Sequence, residues 1–291
     1  MTSARDLIVA GTTVLEAAEV TSAQKNALDL LAHVLNDESL SALSEREISQ
    51  DDEAAFVALI AQRATRIPLQ HLTGKAYFRH LELLVGPGVF IPRPETELLA
   101  QVAIDEMKGI GGGIAVELCA GSGAIALSIA TEVPNVIVHA VEKSPEAFEW
   151  LNKNVAQYAE QLSKNGSAVI AYLGDATDAT ILESLNGSVA VVATNPPYIP
   201  DAMIPREPEV RDHDPHMALF GGSDGFDVAR GVIAVAHELL IPSGLFGMEH
   251  ADVQGESVLE LLEGWIDPVD YKDYNQLPRY VTARSGRVDS L

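Results

Sequence analysis

A short apolar run that ends in closely spaced small residues occupies positions 114–123: Ile114-Ala115-Val116-Glu117-Leu118-Cys119-Ala120-Gly121-Ser122-Gly123. The run is typical of a buried strand, and an apolar helical pattern follows it at 123–132. Glycines let a backbone pass close under a ligand, and a helix N-terminus offers unpaired N–H groups. This strand, loop and helix therefore predict a ligand site at the carboxyl end of a strand.

The alternation of strand and helix continues toward the C-terminus. Four further strands are predicted from apolar runs at 136–141, 169–173, 189–193 and 245–248. Three further helices are predicted from the patterns at 145–160, 225–240 and 253–262. Ser144 and Pro145 supply an N-cap and a first-turn proline for the helix at 145–160. Such alternation predicts the α/β class, with a parallel sheet covered by helices on both faces.

Residues 1–72 predict a small helical domain instead. Thr21 and Gln24 form a capping-box pattern, and apolar residues follow them at helical spacing. The acids at 51–53 suit the positive end of a helix dipole and predict the start of another helix. Its apolar face is expected to be buried: Phe56, Leu59 and Ile60.

The stretch 73–92 lacks the helical spacing of residues 1–72 and predicts a β-hairpin. Apolar residues on both sides flank Gly86-Pro87-Gly88, a sequence typical of turns. The chain is thus predicted to contain a helical domain at 1–72, a hairpin linker at 73–92 and the main α/β domain at 93–291.

The charge of the chain is strongly acidic. Against 19 lysines and arginines stand 42 aspartates and glutamates, a net charge of −23. Binding to nucleic acid depends on cations that neutralise phosphates, and an acidic surface repels them. The balance therefore disfavours direct contact with DNA or RNA, although the excess acid also serves solubility.

The sequence shows no pattern of a secreted or membrane protein. The apolar stretch at 7–10 is too short for a signal peptide, and nowhere do about 18 apolar residues run together. Cys119 is the single cysteine, so no internal disulfide can form, as is typical of a reducing compartment. We expect a cytoplasmic monomer without a membrane partner.

An acid follows the second predicted strand at the spacing found in nucleotide-binding folds. Glu142 lies 21 residues after Gly121, where such folds place a carboxylate for the ribose hydroxyls. The loop lacks the Gly-x-Gly-x-x-Gly spacing that cradles a pyrophosphate, which favours an adenosine ligand without phosphates, S-adenosylmethionine above all. Asp175, after the third strand, is placed to reach the adenine amino group. The alternative interpretation is a tight turn with surface acids.

The fourth predicted strand ends in Asn195-Pro196-Pro197-Tyr198. The Asn195 side-chain oxygen and the Pro196 carbonyl can each accept one N–H of a planar NH₂ group, and Tyr198 can stack on that group. The prolines stiffen the loop because their rings fix φ. The tetrapeptide predicts methyl transfer to a planar nitrogen, such as adenine N6 or the amide of glutamine or asparagine. The alternative is a proline-rich strand exit without chemistry.

Two other features have residue types found in metal or catalytic sites. The segment Asp212-His213-Asp214-Pro215-His216 resembles a metal site, but it is one short loop with no distant ligand evident in the sequence, and a solvated or packing role is favoured. Cys119 has no base beside it, so we expect it to act through its backbone. No metal is predicted.

Several motifs together resemble the HemK/PrmC-type family, the methyltransferases that modify a glutamine side chain of peptide chain release factors. The resemblance spans nearly the whole chain, and its most family-specific part is the element Pro92-Arg93-Pro94-Glu95-Thr96-Glu97. Further matching stretches are 66–71, Gly74, Phe78, 121–123, 195–199, 209–211, 218–222 and 224–225.

The resemblance implies a class I S-adenosylmethionine-dependent methyltransferase fold, Rossmann-like, with a seven-stranded, mostly parallel sheet. It implies that 279–283 form the last, antiparallel strand, that the helical domain docks the release factor and that the acceptor is the glutamine of a Gly-Gly-Gln loop. Implied cofactor residues are Cys119, Ala120, Gly121, Ser122, Gly123, Glu142, Asp175, Ala176 and Asn195. Implied substrate residues are Asn195, Pro196, Pro197 and Tyr198, the first two with catalytic roles.

Three positions depart from the family pattern. Cys119 stands where many members carry glycine, a change that costs little if this position has an ordinary φ. Glu142 replaces the more usual aspartate, and Ala176 stands where an aromatic residue often stacks on adenine. Two other functions remain open from the residues: an adenine-N6 methyltransferase acting on DNA or RNA, and a non-catalytic adenosine-binding protein.

Overall fold

The computed structural model describes residues 2–287. The N-terminal elements are β1 (Thr2–Ser3), α1 (Ala4–Ala17), α2 (Ala23–Leu35), β2 (Glu47–Ile48), α3 (Gln50–Ala64) and α4 (Leu69–Thr73). The middle elements are β3 (Lys75–Phe78), β4 (Leu81–Leu84), α5 (Thr96–Ile110), β5 (Gly113–Leu118), α6 (Ala124–Glu132), β6 (Val136–Glu142), α7 (Pro145–Lys164), β7 (Ala168–Leu173), a 3₁₀ turn (Glu183–Leu185) and β8 (Val189–Thr194). The C-terminal elements are α8 (Pro208–His213), α9 (His216–Leu219), α10 (Asp227–Leu239), β9 (Leu240–Glu249), α11 (Gly255–Leu261), β10 (Ile266–Lys272) and β11 (Pro278–Arg284).

Serine caps explain where several helices begin. The Ser3 side chain accepts the Asp6 N–H at the start of α1. The Ser49 side chain accepts the Asp52 N–H at the start of α3, whose first turn carries three acidic residues. Ser144 caps α7 ahead of a first-turn proline, as the sequence predicts. The predicted capping box at Thr21 is wrong, because Ser22 precedes α2 in a left-handed conformation (φ 54°) without a side-chain cap.

The hairpin has a different turn from the one predicted. Strands β3 and β4 pair, and the chain reverses at Arg79, which has φ 53°. Its backbone N–H donates to Glu97 at 2.9 Å and its guanidinium pairs with Glu132 at 2.6 Å, which hold this left-handed residue in place. Gly86-Pro87-Gly88 follows β4 and lies against Trp150, whose indole N–H donates to the Pro87 carbonyl at 3.2 Å.

The main sheet has seven strands in the order β10-β11-β9-β8-β5-β6-β7. Strands β9, β8, β5, β6 and β7 are parallel to one another, and β11 is antiparallel to β9 and β10. The predicted fold class, a class I methyltransferase sheet with helices on both faces, is confirmed. Strand β11 (Pro278–Arg284) matches the implied last strand at 279–283, whereas β10 and helix α5 were not predicted.

Two apolar cores cover the two faces of this sheet. One joins α5, α6 and α7 to the strands through residues such as Leu99, Ile104 and Leu127. The other joins α10 and α11 through residues such as Val232 and Val258. Burial on both faces explains why β5 and β8 are continuous apolar runs rather than alternating ones.

The chain forms two compact units. The helical unit comprises the described residues up to Lys75 together with Pro205–His213, and the α/β unit comprises Ala76–Ile204 and the described residues from Asp214. The core of the helical unit is apolar and includes Leu30, Leu31 and Phe56. Within the part of the chain that the structure describes, none of the helices combines the length and apolarity that a membrane crossing requires.

A buried ion cluster lies inside the helical unit. Glu209 in α8 accepts hydrogen bonds from Arg63 at 2.7 Å and from Arg66 at 2.6 Å, although more than 140 residues separate it from both. Burial alone would raise the pKa of Glu209, but the two guanidinium groups bring it down to about 2. The segment around α8 is thereby fixed to the N-terminal helices.

Candidate active site

The carboxyl ends of four parallel strands bring the predicted residues to one edge of the sheet. Leu118 of β5 is in register with Thr194 of β8, so the loops that begin at Cys119 and Asn195 leave the sheet side by side. Strand order reverses between these two strands, since β6 and β7 lie on one side of β5 and β8 and β9 on the other. Open α/β sheets bind ligands at such a switch point.

The loop between β5 and α6 is held to the neighbouring strand. The Ala120 N–H donates to the Val141 carbonyl at 2.9 Å, and Ser122 is 2% exposed. An added Cβ at Gly121 would meet no atom within 4 Å, so this part of the loop faces open space. An added Cβ at Gly123 would lie 2.5 Å from Leu151, so that glycine serves close packing against α7.

Glu142 turns its carboxylate toward this loop from the end of β6. One oxygen accepts the Gly121 N–H at 2.7 Å and the other accepts the Ser144 N–H at 2.7 Å. Burial raises the pKa of Glu142 above its usual value, and these backbone donors oppose the rise. The Lys143 N–H also hydrogen-bonds this carboxylate, whose two oxygens have four lone pairs in all, so capacity for a further donor remains.

Asp175 and Ala176 follow β7 at the same edge. The Lys143 ammonium at 2.7 Å is the main cause that lowers the pKa of Asp175 to about 2. The other Asp175 oxygen accepts the N–H and hydroxyl of Thr177, which fixes the turn. Ala176 is 5% exposed and belongs to the apolar core that includes residues of α10.

Glu117 is a buried carboxylate in β5, one residue before the strand ends at Leu118. It is 3% exposed and accepts the Ala126 N–H at 2.8 Å, in the first turn of α6. Burial raises its pKa to about 8. The side chain therefore anchors the start of α6 behind the loop through its hydrogen bond to the Ala126 N–H.

Cys119 has a strained backbone and an unreactive thiol. Its φ is 60°, a left-handed value and not the ordinary φ at which cysteine would replace glycine at little cost. Burial raises the pKa of the thiol to about 12, which keeps it protonated near neutral pH. The geometry agrees with a backbone role at this position and not with a nucleophile.

Asn195 and Pro196 offer two acceptors after β8. The Asn195 side-chain nitrogen donates to the Thr96 hydroxyl at 3.3 Å, which turns the side-chain oxygen away from Thr96. Within residues 2–287, neither this oxygen nor the Pro196 carbonyl receives a hydrogen bond. The arrangement can receive the two N–H groups of one planar amine or amide.

The rest of the tetrapeptide is fixed by later parts of the chain. Gln254 donates to the Tyr198 carbonyl at 3.0 Å, and burial raises the pKa of the Tyr198 phenol above its usual range. Ile199 exchanges backbone hydrogen bonds with Leu219 and Gly221. An added Cβ at Gly221 would lie 2.4 Å from the Pro197 carbonyl, so only glycine permits this approach.

The segment Asp212–His216 has packing contacts. Asp214 pairs with Arg93 at 2.8 Å, and His216 stacks on Phe220 with ring centroids 4.2 Å apart. Among the described residues, no group of three or more acid, histidine or cysteine side chains has a geometry that could hold a metal ion. These contacts favour the packing role over a metal site.

Sequence reasoning missed three buried polar residues that support the site. Asn154 of α7 donates to the Ser122 carbonyl at 3.0 Å and bonds the backbone of Leu84, which ties hairpin to loop. Thr96 and Glu249 share a 2.6 Å hydrogen bond beneath Asn195. The sequence signal for Asn154 is a polar residue on the buried face of α7. Thr96 and Glu249 are 153 residues apart, so no local pattern links them.

Comparisons with known proteins show the family to which the chain belongs. A model of the PrmC N-terminal domain matches residues 6–74. The curated release factor glutamine methyltransferase of Streptomyces coelicolor is 47% identical over 242 residues, 80% of this chain and 82% of that protein. The one of Bifidobacterium longum is 40% identical over 290 residues, 96% of this chain and 99% of that protein.

This chain belongs to the release factor glutamine methyltransferase family. The resemblance drawn from the sequence motifs is confirmed. Because the Bifidobacterium longum release factor glutamine methyltransferase aligns over nearly its full length, both units of this chain fall within the match.

Proposed function

We propose that the chain transfers a methyl group from S-adenosylmethionine to the side-chain amide nitrogen of the glutamine in the Gly-Gly-Gln motif of peptide chain release factors. The observation that supports it most is the pair of acceptors, the Asn195 side-chain oxygen and the Pro196 carbonyl, which have no donor among the described residues. Family membership supports a glutamine as the acceptor.

The loop after β5 suits the methyl donor. The open space over Gly121 lies beside the Glu142 carboxylate, whose remaining acceptor capacity can receive a ribose hydroxyl. Backbone atoms from Cys119 to Gly123 would border the methionine part, and Asp175 with Ala176 the adenine. When bound, S-adenosylmethionine would supply an electrophilic methyl group, whose transfer to the glutamine amide nitrogen would leave S-adenosylhomocysteine and release one proton to water.

The protein has to overcome the weak nucleophilicity of an amide. The nitrogen lone pair is delocalised into the carbonyl, and the rotation barrier of about 18–20 kcal/mol sets an upper scale for undoing that conjugation. Asn195 and Pro196 would hold both N–H bonds, aim the lone pair and stabilise positive charge growing on nitrogen. Tyr198 would stack on the flat group. Positioning of this kind contributes up to about 7–11 kcal/mol in favourable cases.

We assign release-factor docking to the helical unit. The family model that matches residues 6–74 supports a dedicated role for this part of the chain. Hydrogen exchange of the full chain with and without a purified release factor tests it: backbone N–H groups in α1, α2 or α3 should exchange more slowly in the complex. Slowing confined to the α/β unit would contradict the assignment.

A transfer assay separates the proposed acceptor from its rivals. The chain is incubated with labelled S-adenosylmethionine and either a release factor or nucleic acid. We expect label in the release factor, and label in DNA or RNA alone would support an adenine methyltransferase instead. Asn195→Ala should bind the cofactor normally but transfer label at least about a hundredfold more slowly, as for loss of one preorganised polar contact. Binding of the cofactor without transfer to any acceptor would indicate a non-catalytic protein.

A further inference from the structure

The Asn195 carboxamide lies on a short chain of buried hydrogen bonds. Its side-chain nitrogen contacts the Thr96 hydroxyl at 3.3 Å and also the Glu249 carboxylate, and the Thr96 hydroxyl donates to that carboxylate at 2.6 Å. Thr96 is 5% exposed and Glu249 is 2% exposed. Thr96 is the first residue of α5, and Glu249 is the last residue of β9, so two rigid elements hold the chain of bonds.

The order of donors and acceptors fixes which end of the carboxamide faces outward. Burial raises the pKa of Glu249 to about 7, and above that pH its carboxylate can only accept, so Thr96 gives its single hydroxyl proton to Glu249. The Thr96 oxygen can then only accept from Asn195, which requires the nitrogen of the carboxamide on that side. The Asn195 oxygen is left on the opposite side, where an incoming N–H can reach it.

A carboxamide without this support has two nearly equal orientations. Oxygen and nitrogen have similar sizes, and the hydrogen-bond partners decide between them. The reversed side chain would direct its own N–H groups at the N–H groups of the acceptor. That orientation removes an acceptor from the site and opposes binding of the amide nitrogen.

We propose, on the basis of the function proposed above, that Thr96 and Glu249 are positioning residues that lock the Asn195 oxygen toward the nitrogen to be methylated. Their effect runs through Asn195 and requires no contact with either substrate. The Pro92–Glu97 element contributes its threonine to this chain of bonds, which gives the element a chemical role in the α/β unit. Arg279 lies near Glu249 and offsets part of the cost of burying its charge.

A double-mutant cycle tests the proposal on the full-length chain. The variants are Thr96→Val, Thr96→Ser, Asn195→Ala and the Thr96→Val/Asn195→Ala double variant, with kcat, KM for the release factor and Kd for S-adenosylmethionine measured for each. Thr131→Val is the matched control, because its hydroxyl donates to the Leu127 carbonyl of its own helix α6. Thermal unfolding reports whether each variant is folded.

We expect Thr96→Val to lower kcat about tenfold, the scale of one lost hydrogen bond, with the cofactor Kd unchanged. Thr96→Ser should restore most of kcat, and Thr131→Val should match the wild type. In the Asn195→Ala background, Thr96→Val should cause less than about a twofold further loss, since residues that act as one network are not additive.

Two results would overturn the inference while leaving the proposed function intact. One is a full tenfold loss from Thr96→Val in the Asn195→Ala background, and the other is a Thr96→Ser variant no faster than Thr96→Val. A wild-type chain that methylates no release factor would refute the proposed function itself. If Thr96→Val does not fold, Glu249→Leu replaces it in the cycle with the same expected pattern, because leucine removes the acceptor of the Thr96 hydroxyl, and Glu106→Leu is its control.

Discussion

The Glu142 carboxylate accepts the backbone N–H of Gly121 at 2.7 Å, which joins the end of β6 to the loop that follows β5. The loop conformation and the acid that would hold the ribose therefore depend on each other. Gly121 faces open space, so the hydrogen bond shapes a surface available to a ligand and not a packed interior.

Replacing Glu142 should weaken the binding of S-adenosylmethionine more than it destabilises the fold. In Glu142→Gln one backbone donor would face the new NH₂ group, and one acceptor for the ribose would be lost. We expect the Kd for S-adenosylmethionine, measured by calorimetry, to rise at least about tenfold, the scale of a hydrogen bond to a charged group. Glu160→Gln, an exposed residue paired with Lys164, is the control. An unchanged Kd in Glu142→Gln would refute the ribose assignment.

Glu117 should make the protein less stable as pH rises. Burial raises the pKa of Glu117 in the folded protein from its usual 4.5 to about 8, so the stabilisation present below pH 4.5 is lost as pH rises toward 8. One such group changes the free energy of unfolding by at most about 1.4 kcal/mol per pH unit. Urea unfolding at several pH values should show a smaller decline between pH 5 and 8 in Glu117→Gln, whose amide oxygen can still accept the Ala126 N–H.

Glu106→Gln is the control for this pH series. Its ion pair with Arg284 lowers the pKa of Glu106, so its titration affects stability below pH 4.5 and not between pH 5 and 8. Glu249, with a pKa raised by burial to about 7, accounts for the decline that should remain in Glu117→Gln. Identical slopes in the wild type and Glu117→Gln would show that Glu117 is not the titrating group.

Cys119 should be replaceable by glycine without loss of activity. The left-handed φ of 60° costs an L-residue about 1–2 kcal/mol, which glycine avoids, while the backbone atoms remain in place. Cys119→Gly should therefore keep the wild-type kcat, and Cys119→Val should be less stable. The native thiol, with its pKa near 12, should react with iodoacetamide much more slowly than the unfolded chain. Loss of activity in Cys119→Gly would indicate a role for the sulfur.

Glu209 should stabilise the helical unit at neutral pH. Glu209→Gln removes the charge between Arg63 and Arg66, and we expect a loss of about 2–3 kcal/mol in the stability of this unit. The wild-type contribution is present above pH 4.5 and is lost as pH falls toward 2, because the pKa of Glu209 is lowered in the fold. Hydrogen exchange in α1–α3 measures the loss. Glu260→Gln, at an exposed position of α11, should leave it unchanged.

The sequence predicts those parts of the structure that local pattern determines. Strands β5 and β8 lie where their apolar runs predict, because strands buried on both faces must be apolar throughout. Strand β10 was not predicted because it is largely exposed and lacks an apolar run. The turn at Arg79 was missed because Glu97 and Glu132, distant in sequence, hold its backbone.

The site shows the same division between local and distant determinants. Gly121, Glu142 and Asn195 follow strand ends, so their spacing along the chain predicts that they meet at one edge. Thr96 and Glu249 form their contact across 153 residues, and neither lies in a pattern that predicts a partner. The orientation of the Asn195 carboxamide therefore becomes evident from the packed structure alone.

Fragment mass spectrometry of a release factor tests the central claim most directly. The factor is incubated with the chain and S-adenosylmethionine, digested, and the Gly-Gly-Gln peptide is sequenced by fragmentation. We predict one added methyl group on the glutamine side chain with the wild type, and almost none with Asn195→Ala. A glutamine that stays unmodified with a folded, cofactor-binding wild-type chain, or a methyl group found on another residue, would contradict the account.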